Sequence, residues 1–254
     1  MPYKILIAHQ SGMVGKSTTV ASLLYPRLPG SLKVFSVEDV NQDAARYGLT
    51  VHRYRAADFS ALWHDINMET ANVLVDVGAS NYLQFMNEIM DLEDAINDFK
   101  AVIIPCTPDR RAQEETVTTI EDLSKAGLAP HKLRVIFNRS TSRRGTPPDH
   151  EYRVIVAYLK DHPEYSYYED LVVPNKKVHT DLAAAGKSIA DILSDATDHQ
   201  AELEKAIKQN VGPKEQERLL RAATLQRAVR GAELDLQSAF RALRLPFESP
   251  TAEA

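Results

Sequence analysis

A single cysteine, Cys106, in 254 residues leaves no intrachain disulfide, and the chain is expected to work in a reducing compartment, the cytoplasm. Cys106 itself sits in an apolar run and reads as a small buried hydrophobe. Long hydrophobic runs are missing too. Nothing approaches the roughly 20 apolar residues of a membrane-spanning helix. The apolar stretch 5–8 is too short for a secretion signal, because His9 and Gln10 interrupt it. Positive charge is in deficit, with 30 Lys and Arg against 35 Asp and Glu, so the average surface does not attract nucleic acid and only local patches could. Repeats and low-complexity tracts are absent. What is present, 44% hydrophobic and 26% charged residues, suffices for a globular α/β core with a smaller appendage.

Short β-branched runs alternate with longer helical patterns. Strands are expected over 4–8, 33–37, 72–77, 101–106, 133–138 and 171–173, and helices over 16–25, 56–67, 82–95, 113–126, 150–160 and 180–193. That alternation predicts an α/β fold with a mainly parallel sheet flanked by helices. The segment 138–149, with Arg139, Arg143, Arg144, Gly145, Pro147 and Pro148, reads as a basic surface loop. Beyond residue 197 strand formers vanish. Gly212-Pro213 divides two helical stretches, which predicts a core domain over 1–197, a C-terminal helical hairpin over 198–247 and a tail over 248–254. In the second helix Ala222, Leu225, Val229, Ala232, Leu236, Phe240 and Leu243 form an apolar stripe that needs a cover, either the chain's own domain or a second copy. Every phosphate-site candidate lies before residue 198, so the hairpin is expected to be separable from nucleotide binding.

The chemistry sits where the first strand meets the first helix, at Gln10-Ser11-Gly12-Met13-Val14-Gly15-Lys16-Ser17-Thr18. Strand, glycine loop and helix together form a P-loop: backbone N–H groups and a helix N-terminus face the phosphates of a nucleoside triphosphate. Gly12 and Gly15 let the backbone curl, Lys16 supplies a charge for the β and γ phosphates, Ser17 offers a hydroxyl to Mg²⁺ and Thr18 reaches the α-phosphate. Gln10 stands where the P-loop pattern has its first glycine. Asp76 ends the apolar strand 72–76 and is placed to hold the metal through water. Glu38 and Asp39, with Gln42 and Asp43 shortly after, end the strand 33–37 and are candidates to orient water or bind metal, or else to serve as capping or solvated acids.

With these residues placed, the chain resembles the ParA/MinD superfamily of deviant-Walker ATPases, and within it the StbB-type plasmid stability proteins most closely. The marks are 11–18 against K-G-G-x-G-K-[ST]-T, the strand 34–37 with Glu38 and Gln42 against D-x-D-x-Q, the run Asp76-Val77-Gly78-Ala79-Ser80-Asn81, the pair Asn138-Arg139, and Val173-Pro174 leading to a helix with Gly186. The resemblance implies ATP and Mg²⁺ as cofactors, a homodimer formed on ATP binding, and slow hydrolysis that switches between DNA-, membrane- or partner-bound states. It also implies that Asn138 reads the adenine edge, which an amide can do as donor and acceptor together, and that Pro174-Asn175 line the base. Two departures stand out. The family's signature lysine aligns with Ser11, leaving Arg110, Arg111 or Arg139 as possible substitutes, and the second aspartate of D-x-D falls on Val40.

The expected function is therefore an ATPase switch for plasmid stability, partition or positioning, working with a small plasmid-encoded DNA-binding protein. Non-specific DNA contact could come from Arg139, Arg143 and Arg144, or from the last helix, where seven basic residues between Lys214 and Arg244 outnumber four acids. A metabolic kinase or ligase on the same fold, and a nucleotide-binding scaffold with little hydrolysis, are the alternatives.

Overall fold

The computed structural model describes residues 2–38, 44–142 and 145–246. Asp39, Val40, Gln42, Asp43, Arg143, Arg144 and the expected tail lie outside the described residues.

Seven strands form one all-parallel sheet: β1 (Lys4–Ile7), β2 (Leu32–Val37), β3 (Val51–Tyr54), β4 (Asn72–Val77), β5 (Ala101–Cys106), β6 (Leu133–Ser140) and β7 (Val172–Pro174), in the order β3-β2-β4-β1-β5-β6-β7. The central strands are apolar on both faces because helices cover both. Alternate residues divide between two cores. Leu6, Val75, Ile104 and Val135 pack under α2 (Phe59–Met68), α3 (Tyr82–Met90), α4 (Arg110–Lys125) and α5 (Arg153–Asp161). Ile5, Ile7, Leu74, Ile103 and Ile136 face the other side. β3 escapes the sequence pattern because it is an edge strand, pairing only with β2, and its His52 and Arg53 are exposed. Cys106 is fully buried in the first core, and burial pushes its thiol up to about 12.

Several expected helices differ in detail. The first begins as α1 (Lys16–Thr18) and continues as a π-helix over Thr19–Leu24, and Arg27 closes it by donating to the Ser22 and Leu23 carbonyls at 2.6 and 3.2 Å. The helix expected over 180–193 is two: α6 (Val178–Ala185) stops at Gly186, whose φ of 60° is a left-handed cap. Ser188 then starts α7 (Ile189–Ser194) with a capping box to Asp191.

The C-terminal hairpin consists of α8 (His199–Lys208) and α9 (Pro213–Ala242). Its tip has a small cluster of its own, Leu203, Ala206 and Leu219. From Val229 onward, however, α9 belongs to the second core: Val229, Ala232, Leu236, Ala239, Ala242 and Leu243 join Ile5, Ile7, Val20, Leu24 and Ile136. The apolar stripe is thus covered by the chain's own domain. Phe240 packs half-buried against the same core beside the buried Ala239, while the stripe takes in the buried Ala223 rather than the half-buried Ala222. Arg27 forms a largely buried ion pair with Glu233, and Lys176 binds both the Gly231 carbonyl and Asp235, so α9 is tied to the P-loop helix and to the loop after β7. No helix among the described residues is long and apolar enough to cross a membrane.

Candidate functional site

Because all strands run parallel, their carboxyl ends lie along one edge of the sheet, and residues from five separate stretches of sequence meet there. β1 and β4 pair with Ile7 opposite Asp76, and β2 and β4 with Ser36 opposite Asp76, so the P-loop, the β2 acids and the β4 carboxylate share one floor. A cleft of about 310 Å³ opens on it, lined by Gly12, Met13, Gly15, Lys16, Ser17, Ser36, Glu38, Arg46, Asp76, Gly78, Ala79 and Arg139.

Gly15 is required twice over. Its φ is 97°, and a Cβ there would lie 2.3 Å from the Asn138 amide nitrogen. Gly12 has a free surrounding and no left-handed φ; the second left-handed residue of the loop is Met13, at φ 62°, with its side chain 85% exposed. The family pattern has glycine at that position, so Met13 is a third departure beside Ser11 and Val40. Lys16 is buried, and its ammonium donates to the carbonyls of His9 (3.1 Å) and Ser11 (2.8 Å). Burial lowers its pKa, while the charges of Asp76 and Glu38 oppose that shift. Glu38 packs onto the turn after β4, accepting from the Ser80 hydroxyl at 2.9 Å; a side chain at Gly78 would collide with its carboxylate.

Ser11 and Val14 line neither this cleft nor the next. Val14 is buried beneath the loop, and Ser11 turns toward α4. The strap between them is His9. Its Nδ1 accepts from the Ser11 N–H at 2.8 Å, which leaves Nε2–H to donate to Thr116 Oγ1 at 2.8 Å, and Thr116 donates in turn to the Ala112 carbonyl at 2.7 Å. Gln10, in place of the pattern's glycine, donates its side-chain amide to the Glu115 carbonyl at 3.1 Å. The start of the loop is therefore fastened to α4.

A second cleft of about 390 Å³ adjoins the first and is lined by Thr18, Arg46, Tyr47, Asn138, Arg139, Pro174, Asn175, Lys176, His179, Thr180 and Ala183. Asn138, Pro174 and Asn175 do come together here. The Asn138 side chain, however, donates to the Val14 carbonyl at 2.7 Å and accepts from the Arg139 N–H at 3.0 Å, so its amide is engaged with the backbone of the site itself. Thr18 faces this cleft rather than the first and shares a 2.8 Å hydrogen bond with the Tyr47 hydroxyl. Arg46, Tyr47, Lys176 and His179 carry no motif and went unread; only the crossing of distant segments assembles them. Arg110 and Arg111 are not at either cleft, being exposed on α4 and paired with Glu114 and Glu115.

The donor chemistry suits Mg²⁺. Ser17 and Asp76 offer hard oxygens, and among the described residues no cluster of three His, Cys, Asp or Glu could hold a metal by protein ligands alone. Few protein ligands beside phosphate and water is the usual arrangement for this ion.

Two histidines here give a pH dependence. Burial, then the charge of Lys16, brings His9 down from 6.5 to about 3, and burial, then Lys176 and Arg139, brings His179 down to about 4. Both are held neutral in the fold, whereas the unfolded chain protonates them near the ordinary value. Their contribution to stability is complete above pH 6.5 and is lost as pH falls toward 4 and then 3. Melting curves should show stability declining on acidification from that point by up to about 1.4 kcal/mol per pH unit for each histidine. His9→Gln should flatten part of the slope; an unchanged slope would mean that His9 titrates normally.

No family model matches the chain, and neither does any curated protein's sequence. Its structure is similar to several solved ones. The ParA family ATPase from Chlorobium tepidum TLS superposes with a TM-score of 0.54 at 13% identity, covering 77% of this chain and 93% of its own. The MinD cell division protein of Aquifex aeolicus gives 0.52 at 13%, covering 90% and 97%. An ATP complex of a McdA variant from Cyanothece gives 0.50 at 12%, covering 93% and 96%. With its all-parallel sheet flanked by helices and the phosphate loop after β1, the chain has the ParA/MinD P-loop fold.

Proposed function

We propose that this chain is an ATP-binding, slowly hydrolysing switch that dimerises on ATP and serves plasmid stability, partition or positioning in the manner of the StbB-type proteins, with a small plasmid-encoded DNA-binding partner in the cytoplasm. The observation that carries the reading is the meeting of Gly15, Lys16, Ser17, Glu38 and Asp76 around one cleft at the carboxyl edge of the sheet. Lys16 leaves its two carbonyls to meet the β and γ phosphates, and the N–H groups of Gly12 to Thr18 face the rest of the chain. Ser17 directly and Asp76 through water would hold Mg²⁺, which neutralises phosphate charge when bound. In hydrolysis a water oxygen bonds to the γ-phosphorus and the bond to the β–γ bridging oxygen breaks. ADP leaves with that electron pair, and the water's proton passes to the phosphate released. Glu38, at the cleft, orients the water; Asp39 and Asp43 are the other candidates. Asn138, Pro174 and Asn175 line the neighbouring cleft for the nucleoside, where the Asn138 amide reaches the base only by exchanging its bond to Val14.

DNA contact, if the switch uses it, falls on α9. Arg218 and Arg221 pair with Glu215 and Glu217, which leaves Lys214, Arg227, Arg230 and Arg241 among the described residues of α9 as the cations for phosphate contacts that weaken steeply with salt. The test is light scattering with ADP and with a non-hydrolysable ATP analogue, alongside a turnover assay. The expected result is a dimer with the ATP analogue alone and slow phosphate release. A chain that stays monomeric with the analogue sinks the switch and favours the scaffold or kinase alternatives.

A further inference from the structure

Ser11 leaves the phosphate loop without the cation that its family pattern carries, and its side chain turns away from the cleft. Two guanidinium groups do reach the cleft. Among the described residues, Arg46 and Arg139 are the two that line both clefts, so they flank the passage a phosphate chain takes from Lys16 and Ser17 toward Thr18. Lys16 belongs to the first cleft alone and Lys176 to the second alone.

Each arginine is placed by its own device. β6 shifts register between Asn138 and Ser140, and Arg139 there takes a left-handed φ of 61°. The residues on either side are buried and anchored, Asn138 through its carbonyl to the Tyr152 hydroxyl at 2.7 Å, so Arg139 alone is turned outward. Holding a non-glycine residue in that conformation, at the bulge in the β6–β7 pairing, costs stability. Arg46 lies in the 3₁₀ turn Ala44–Tyr47, its guanidinium 4.9 Å from the centre of the Tyr47 ring and 2.9 Å from that residue's hydroxyl. The same hydroxyl binds Thr18, so Arg46 is braced against the P-loop helix. Among the described residues neither arginine is in an ion pair with a carboxylate, unlike Arg110 and Arg111 on α4.

We infer that Arg46 and Arg139 of one chain grip the phosphate chain of its bound nucleotide from two sides, supplying in cis the positive charge that Ser11 does not. This rests on the reading of the first cleft as the phosphate site. A guanidinium pair suits the task because its planar forks bind phosphate oxygens bidentately.

The test is calorimetry with ADP and AMP under conditions where light scattering shows a monomer, on wild type, Lys16→Ala, Arg46→Ala, Arg139→Asn and the two Arg→Lys variants. Asparagine tolerates the left-handed backbone at 139 without the charge. Charge-assisted contacts predict roughly a tenfold or greater loss of ADP affinity for each arginine removed. AMP affinity should change far less, and lysine should restore part of the loss. Equal losses for ADP and AMP would make the arginines structural and overturn the inference. So would ADP affinity at the wild-type level in both variants while Lys16→Ala loses it. A loss seen with ATP in the dimer but not with ADP in the monomer overturns the in-cis assignment. If Lys16→Ala itself binds like wild type, the failure lies with the phosphate-site reading.

Discussion

Lys16→Ala should lose ATP affinity by roughly two orders of magnitude or more, since the contacts removed are charge-assisted and each is worth about 1.5–3 kcal/mol. The apo protein should melt within a few degrees of wild type. The ammonium is buried and its pKa lies below the ordinary lysine value, so the fold already bears a desolvation cost that alanine removes. Against that gain, Asp76 and Glu38 lose a positive neighbour, and the His9 and Ser11 carbonyls lose their donor to cleft water. The two effects oppose each other and leave a small net change. Calorimetry gives the affinity and thermal unfolding the stability. A folded mutant that binds ATP like wild type would remove the phosphate assignment altogether.

Ending the chain at residue 197 should have the largest effect on stability. Composition alone suggests a detachable hairpin, yet the second half of α9 is a wall of the core. Val229, Leu236 and Leu243 are 0–2% exposed and cover Ile5, Ile7 and Ile136 beneath the sheet. Full burial of side chains of this size contributes about 1.5–3 kcal/mol each, and a domain has only about 5–15 kcal/mol in total. Losing the three together with the alanines between them, and uncovering the strand residues opposite, consumes most of that stability. The truncated chain should aggregate or fail to melt cooperatively. Point variants grade the effect without deleting the helix. Leu236→Ala should cost about 2–5 kcal/mol, whereas Leu219→Ala, at the tip in a cluster of its own, should cost less and leave ATP binding intact. A 1–197 chain that unfolds cooperatively near the wild-type temperature and binds ATP would restore the hairpin to the status of an appendage.

Much of the site was legible because its chemistry is local. Gly15-Lys16-Ser17 follows a strand and opens a helix within a few residues, and Asp76 ends an unbroken apolar run, so spacing alone brought them to notice. In a parallel sheet, moreover, the residue that ends each strand must arrive at the same edge, which is why candidates from β1, β2, β4, β6 and β7 met without any pairwise signal between them. The illegible parts are those whose meaning depends on a distant neighbour. Arg46 follows no motif and acquires its place only when the turn after β2 comes to line the same two clefts as Arg139, 93 positions later by the numbering. His9, its tautomer set by the nearby Ser11 N–H, finds its second partner in Thr116, on a helix about a hundred residues on. β3 was invisible because an edge strand needs no apolar alternation to pair.

By itself, then, the amino-acid sequence determined the layers of this protein: β-branched runs long enough to be strands, amphipathic stretches long enough to cover them, and a glycine loop where the first of each kind meet. Those are nearest-neighbour properties of the chain. Tertiary structure alone decided which side of the sheet α9 would close, how far Ser11 would turn from the cleft, and which cations would stand between the two clefts. Such choices depend on burial and charge summed over segments far apart in the chain, 93 positions for Arg46 and Arg139, and no short window along the chain contains both partners.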